Sequence, residues 1–317
     1  MNQNNSLEEE KVQMLDELAN KLSVNFSKNK YKQNSVFKLP STHFNGYNLW
    51  FLKVTKLNRG RGIYVFDTLD KLLSLIKDLE EGIITNPNST DTQNVSIEEP
   101  NKEKPDPTFS NVGNVPNKIQ SSTFVIQKYI EKPLLLNNRK FDIRVWVMLS
   151  HDLKLYFFKE GYLRTSWEDF SLKSEDVWKL FVHLTNNAVQ KFSENYGQFE
   201  DGNQISFQDF QLYIDEKYAD SKVSVKDDIV KEMKEIVKIT FKSAEQYLYC
   251  DNKRSCFEIF GYDFIVDSNF KVWLIEINTN PWLEESSELL KSLIPRMVDD
   301  AMKLTLDVTF KKKSKGK

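Results

Sequence analysis

Asp263, Glu276 and Asn278 stand inside two otherwise apolar, strand-forming runs, Phe257-Glu-Ile-Phe-Gly-Tyr-Asp-Phe-Ile-Val266 and Val272-Trp-Leu-Ile-Glu-Ile-Asn278. Carboxylates in such a setting are costly to bury unless a charge compensates them, which a hard divalent cation does. Asp, Glu and Asn offer oxygen ligands only, a set that suits Mg²⁺, which keeps some waters and is usually completed by substrate phosphates. The alternative is a pair of solvated residues on an exposed sheet face. Asp267-Ser-Asn269 between the runs favours a turn, so the stretch reads as a β-hairpin. Val272, Leu274, Glu276 and Asn278 share one strand face; Trp273, Ile275 and Ile277 share the other. With Ser268 and Asn269 as a two-residue loop, Asp263 pairs with Leu274 and lies diagonal to Glu276, so three oxygen-bearing side chains converge.

Two further stretches carry charge where chemistry could use it. Lys53 ends the strand-like run Asn48-Leu-Trp-Phe-Leu-Lys53 and precedes Asn58-Arg59-Gly60-Arg61-Gly62-Ile63. Glycines let backbone N–H groups approach a polyphosphate and the cations offset its charge. This is no Walker loop, because the Gly-x-x-x-x-Gly-Lys-Ser/Thr spacing is absent. A basic hairpin turn explains the same residues. Lys140-Phe-Asp142-Ile-Arg144-Val-Trp-Val-Met-Leu149 gives the clearest alternation in the chain. Phe141, Ile143, Val145, Val147 and Leu149 line one face, and Lys140, Asp142, Arg144 and Trp146 the other. A solvated face with weak ion pairs is the alternative to a functional row. The apolar run Asp152–Phe158 beside it favours a place inside a sheet.

The elements that must hold these residues follow from composition and period. At 317 residues, 40% hydrophobic and 13% aromatic, the chain can build one large or two ordinary domains. A net charge of −2 argues against general nucleic-acid binding. No signal peptide is evident, and no apolar run approaches the ~20 residues that span a bilayer. Cys250 and Cys256, with His43, His151 and His183, are too scattered for a zinc site and fit a cytosolic chain with reduced thiols. Residues 1–40 suggest one amphipathic helix and a connection, and 68–82 a helix stopped by Gly82. Residues 83–122 are too polar to bury themselves and read as a disordered insertion. Thr123–Pro133 gives a strand whose backbone could meet an adenine edge or simply form core. Glu160–Thr165 and Phe181–Lys191 set single polar groups among apolar ones, as pocket walls do. Helices are expected over 206–218, 224–248 and 286–306, the second with Val225, Ile229, Met233, Ile236 and Val237 as its core stripe. The tail 311–317 is a basic run, usually solvated, that could attract an acidic polypeptide.

Taken in order, Phe51-Leu-Lys53 with Asn58–Ile63, Gln127-Lys-Tyr-Ile130, Arg139-Lys-Phe-Asp-Ile-Arg144, His183-Leu-Thr-Asn186, Phe260-Gly-Tyr-Asp-Phe264 and Leu274-Ile-Glu-Ile-Asn278 resemble the tubulin tyrosine ligase-like family, over residues 41–305. The resemblance implies an α+β ATP-grasp fold: two subdomains, 41–130 and 131–309, with mostly antiparallel sheets clamping a nucleotide. It implies an amino-acid ligase that uses ATP and Mg²⁺ to join a free tyrosine, glutamate or glycine to a carboxylate of tubulin or a similar acidic tail. A cytoplasmic, cytoskeletal setting, including the cilium or basal body, goes with it, and neither nucleic acid nor membrane is a partner.

Carried over by position, the resemblance assigns Lys53, Arg59, Gly60, Arg61, Gly62 and Ile63 to the phosphates and Gln127, Lys128, Tyr129 and Ile130 to the adenine. Lys140, Asp142, Thr185 and Asn186 would contact nucleotide, and Asp263, Glu276 and Asn278 would hold Mg²⁺. Arg144 would be the cation nearest the reacting acyl phosphate, with Lys140 beside it, and Arg164 and Lys191 would hold the incoming amino acid's carboxylate. Three departures stand out. Val54 replaces the family's usual Pro and predicts a looser loop entry; Trp282 replaces a small residue and predicts a narrower floor near the amino acid; the region before the fold is shortened to about 40 residues. A catalytically silent microtubule-binding relative, or an ATP-grasp ligase for small molecules or peptides, would carry the same blocks.

Overall fold

The computed structural model describes residues 46–55, 57, 60–84, 118–173, 179–186, 190, 199–248 and 256–310. All fall in one compact unit, Phe44–Lys317. The expected amino-terminal helix, most of the polar insertion and the basic tail lie outside the described residues.

The first sheet joins β1 (Trp50–Val54), β2 (Ile63–Phe66) and β5 (Phe124–Lys128), antiparallel in the order β2-β1-β5. Strand alternation splits its residues cleanly. Leu52, Val54, Tyr64 and Phe66 pack with Leu72 and Leu79 of α1 (Leu69–Glu81). Phe51 and Lys53, with their cross-strand partners Val65, Ile63, Gln127 and Val125, form the opposite face. Helix α1 starts where the Thr68 hydroxyl accepts the Lys71 N–H at 3.4 Å and stops at Gly82, whose φ of 97° suits glycine. The polar insertion is narrower than its composition suggests. Its ends pair as β3 (Ile83–Ile84) and β4 (Lys118–Ile119), because Ile83 and Ile119 are buried in the α1 core.

The second sheet contains β6 (Leu135–Leu136), β7 (Arg139–Ser150), β8 (Leu155–Asp169), β9 (Gln204–Ser206), β10 (Phe257–Val266) and β11 (Val272–Asn278). Its order is β11-β10-β7-β8-β9, with β6 also on β7, and every pairing is antiparallel. All twelve residues of β7 are buried, so both its faces are covered. Phe141, Ile143, Val145, Val147 and Leu149 meet Phe210 and Ile214 of α3 (Phe207–Lys217) and Met233, Val237 and Phe241 of α4 (Val230–Ala244). Each such side chain stabilises the fold by about 1.5–3 kcal/mol. The expected helix at 224–248 begins instead as a wider π turn, Val225–Ile229, capped by the Ser224 hydroxyl, and Val225 and Ile229 still join the core. On the other face, Trp146 and Tyr162 pack under Leu290, Leu293, Ile294 and Met297 of α5 (Glu288–Thr309). Arg296 of α5 grips Glu160 through two hydrogen bonds of 2.7 and 2.8 Å. Among the described residues no helix is long and apolar enough to cross a membrane.

Residues 155–169 form one strand, which joins the expected run Asp152–Phe158 to the stretch Glu160–Thr165 through a bulge against β7 between Phe157 and Gly161. That glycine is required by packing. A Cβ there would lie 2.6 Å from Phe207 Cζ and 2.7 Å from the Arg144 carbonyl oxygen. Gly161→Ala is therefore expected to destabilise the protein by about 1–3 kcal/mol, read as a lower urea midpoint at unchanged slope.

Candidate functional site

The β10–β11 hairpin turns differently from the two-residue loop. The Asp267 carboxylate accepts the backbone N–H groups of Asn269 (2.8 Å) and Lys271 (3.1 Å) and the Trp273 indole N–H (2.9 Å), while the Phe270 N–H bonds the Asp267 carbonyl. Phe270 takes a left-handed φ of 62°, so the loop is Ser268-Asn269-Phe270. A bulge between Asp263 and Phe264 shifts the register once more, and Asp263 faces Glu276 directly instead of Leu274. The convergence survives both changes. Asn278 Nδ2 lies 3.1 Å from Glu276 Oε1 and 3.4 Å from Asp263 Oδ2.

Asp263 also anchors a buried charge network built from neighbouring strands. Arg144, opposite it on β7, donates from Nε to Oδ1 and from Nη2 to Oδ2 at 2.9 Å. Arg164 of β8 reaches the same Oδ2 at 3.0 Å and clasps Asp142 through bonds of 2.6 and 2.9 Å, and the Thr185 hydroxyl donates to Asp142. Burial opposes ionisation of Asp263, but the Arg164 and Arg144 guanidiniums outweigh it and hold the carboxyl below the usual range. Gly261 makes room for this: a Cβ there would sit 2.9 Å from Pro281 Cβ and 3.3 Å from Arg144 Nη1.

The first sheet turns its Phe51–Lys53 face to this hairpin. Gln127 Nε2 reaches the Ile275 carbonyl oxygen at 3.4 Å. The Lys53 pKa is lowered by burial, against which Glu276 and then Asp263 act, so the ammonium lies within electrostatic reach of both carboxylates. Lys140 donates to the His183 carbonyl at 2.7 Å; burial drives its pKa from 10.5 down to about 7, with Asp142 raising and Lys53 further lowering it.

Gly60 and Gly62 both have positive φ, 75° and 67°, and the Val54 N–H bonds the Gly62 carbonyl at 2.9 Å. Val54 is buried in the α1 core, and its N–H is one that proline would lack. Ile63 opens β2 opposite Lys53, and Arg61 is exposed. Lys128 binds the Leu49 carbonyl (2.8 Å) and Glu131 (2.5 Å). Tyr129 is turned inward and Ile130 is half-buried. Thr185 is buried beside Asp142, and Asn186 is half-buried next to it. Trp282 is 57% exposed, with its indole N–H on Glu284. Arg59 and Lys191 lie outside the described residues.

Sequence reasoning missed Glu131, whose carboxylate accepts the Tyr47 and Leu49 N–H groups at 2.5 and 2.7 Å, and the Arg139–Glu200 pair beside Phe199. An acid between Ile130 and Lys132, just before a Pro-marked turn, was the only signal for the former. Among the described residues no three His, Cys, Asp or Glu side chains gather as a metal cage. Two carboxylates and a carboxamide are the set that suits a hexacoordinate hard cation finished by water and phosphate.

The model of the tubulin-tyrosine ligase family matches residues 1–315. The chain is 31% identical to tubulin glycylase 3B of Tetrahymena thermophila over 292 residues, which is 91% of this chain and 21% of that protein. It is 31% identical to protein polyglycylase TTLL10 of Rattus norvegicus over 275 residues, 85% of this chain and 36% of that one. A probable alpha-tubulin polyglutamylase, Ttll1 of T. thermophila, is 28% identical over 267 residues, 83% and 55% of the two chains. The chain spans about a fifth of the length of the first curated relatives it matches.

Proposed function

Since this chain belongs to the tubulin-tyrosine ligase family, an ATP-grasp family whose ligases use ATP with metal ions, we propose that it binds Mg²⁺-ATP and joins a free amino acid to a carboxylate of tubulin or a similarly acidic tail. The supporting observation is the pairing of the Asp263–Glu276–Asn278 cluster with Lys53 across from it and Lys140 and Arg144 alongside. Residues 41–130 and 131–309 act as the two halves of the clamp. Glu276, Asn278 and Asp263 would hold Mg²⁺, which would neutralise phosphate charge.

The reaction asks one anion to attack another. A tail carboxylate takes the γ-phosphoryl group, ADP leaves, and the amine of the amino acid displaces phosphate from the acyl phosphate to form an amide. Lys53, Lys140 and Arg144 provide fixed positive charge around these oxygens, and Arg61 with the positive-φ glycines lies at the loop that would meet the phosphates. The Arg164 guanidinium is clasped by Asp142 and touches Asp263; with Lys191 it would hold the amino acid's carboxylate. Relatives named as glycylases and a polyglutamylase favour glycine or glutamate over tyrosine. A basic tail at 311–317 suits an acidic acceptor at the cytoskeleton.

Incubation with tubulin, Mg²⁺-ATP and labelled glycine, glutamate or tyrosine tests the reading: label should enter tubulin with one of the three. ATP binding that depends on Mg²⁺ with no label in tubulin would point to a small-molecule or peptide ligase, and absence of Mg²⁺-dependent ATP binding to a silent relative. Proton linkage gives a second check. With Lys140 at about 7 when folded and 10.5 when unfolded, the unfolded chain holds the extra proton between those values, so this group makes stability rise with pH across that window. A polyphosphate beside Lys140 favours the ammonium, so ATP binding at pH 8 is expected to take up up to one proton, measured calorimetrically in buffers of different ionisation enthalpy.

A further inference from the structure

Behind Lys140 lies a buried polar chain to which the reading above gives no task. Lys140 Nζ is 3.4 Å from the Tyr129 phenol oxygen, and that oxygen is 2.7 Å from His183 Nδ1. Tyr129, His183 and Lys140 are 1%, 2% and 6% exposed. A charged lysine can only donate, so the phenol oxygen accepts from Lys140, and the phenol, with its own O–H, shares a second hydrogen bond with His183 Nδ1. Burial, and then Glu131, push the Tyr129 phenol well above its ordinary range, so it keeps that proton. The His183 main chain closes the arrangement by accepting from Lys140 at 2.7 Å. Rings complete the seat. Lys140 Nζ is 4.8 Å from the Tyr129 ring centroid and 5.8 Å from that of Phe51, which lies 4.8 Å from Tyr129 and 5.7 Å from Lys53 Nζ.

We propose that Tyr129 and His183 are positioning residues for Lys140: their hydrogen-bonded pair seats the amine where an arriving polyphosphate meets it and sets the pH range over which it carries charge. This rests on the reading of the cleft as a nucleotide site. The groups that face Lys140 are Asp142 on its own strand, Lys53 on β1, Tyr129 after β5 and His183 at the end of α2 (Leu180–His183), with Glu131 acting through Tyr129. Asp142 favours the charged lysine, Lys53 opposes it, and the phenol oxygen favours it by accepting. Tyr129 thus takes a role on the amine side through its phenol.

The test compares ATP affinity and ligase kinetics of the whole chain with Tyr129→Phe, His183→Leu and His183→Asn between pH 6 and 9. Tyr129→Phe keeps the ring and removes the oxygen. It should raise Kd and KM for ATP about fivefold, leave kcat within about twofold, and move the midpoint of the pH dependence of ATP affinity downward. His183→Leu should do the same, and His183→Asn, whose carboxamide oxygen can accept the Tyr129 O–H, should recover most of the loss. Wild-type midpoint and affinity in Tyr129→Phe, with or without a lower melting temperature, would overturn the proposal. So would an Asn variant no better than Leu. A wild-type chain that binds no ATP at any pH would overturn the nucleotide reading itself, and this inference with it.

Discussion

Glu276→Gln is expected to lower ligation at least ~100-fold while the unfolding free energy stays within about 0.5 kcal/mol of wild type. The two halves of that expectation have separate causes. Glutamine matches the shape of glutamate and can keep a hydrogen bond to Asn278, and Glu276 is only half-buried, so little packing or solvation changes. What disappears is one negative charge from a cluster whose proposed purpose is to hold a divalent cation against phosphates. Mg²⁺-dependent ATP binding, label transfer and urea denaturation measured on one preparation check both halves. Unchanged Mg²⁺ dependence with normal turnover would refute the metal assignment.

Asp263→Ala is expected to fail differently, with a loss of about 3–5 kcal/mol in stability along with activity. The carboxylate is 2% exposed and holds two guanidiniums, Arg144 and Arg164, that are themselves buried. Truncation leaves positive charge with half of its compensation, Asp142 alone remaining for Arg164. The same contacts fix the sign of its acid response. Its folded pKa lies below the ordinary 3.8, so its contribution is complete above that value and is lost as pH falls through the lower, folded one. Denaturation at pH 7 and pH 3 should therefore show a smaller gap between wild type and Asp263→Ala at pH 3. A constant gap would show that the arginine pairs contribute little.

What could be read in the sequence was what alternation and composition carry. The charged row of β7 opposite its apolar face, the late hairpin and the capped helix α1 all follow from side-chain period and turn residues, and each is in the structure. What could not be read was register. The Asp267 carboxylate lengthens the hairpin loop by one residue and a bulge adds another, and neither changes the pattern of apolar and polar letters. Pairing of Asp142 with Arg164 depends on how β7 meets β8, a relation between residues 22 apart that no single strand specifies. The join of Asp152–Phe158 to Glu160–Thr165 was not legible either: one strand carries both, with a bulge against β7 before Gly161, where the missing side chain admits Phe207. His183 was legible only as a member of a block, because its partner Tyr129 lies 54 residues away.

Glu131 carries one more implication. It ties together the stretch entering β1, through Tyr47 and Leu49, and the stretch leaving β5, through Lys128, while Tyr129 N–H bonds the Leu49 carbonyl. The segment that enters the smaller sheet and the segment that leaves it for β6 are thus riveted at one corner. The smaller sheet would then move as a plate on that rivet, its far lip at Gly60 and Gly62 sweeping the widest arc, and spin labels near the lip would report a travel that labels near Leu49 do not share. A tilt about that edge is the motion such labels are expected to report, widest on the glycine side.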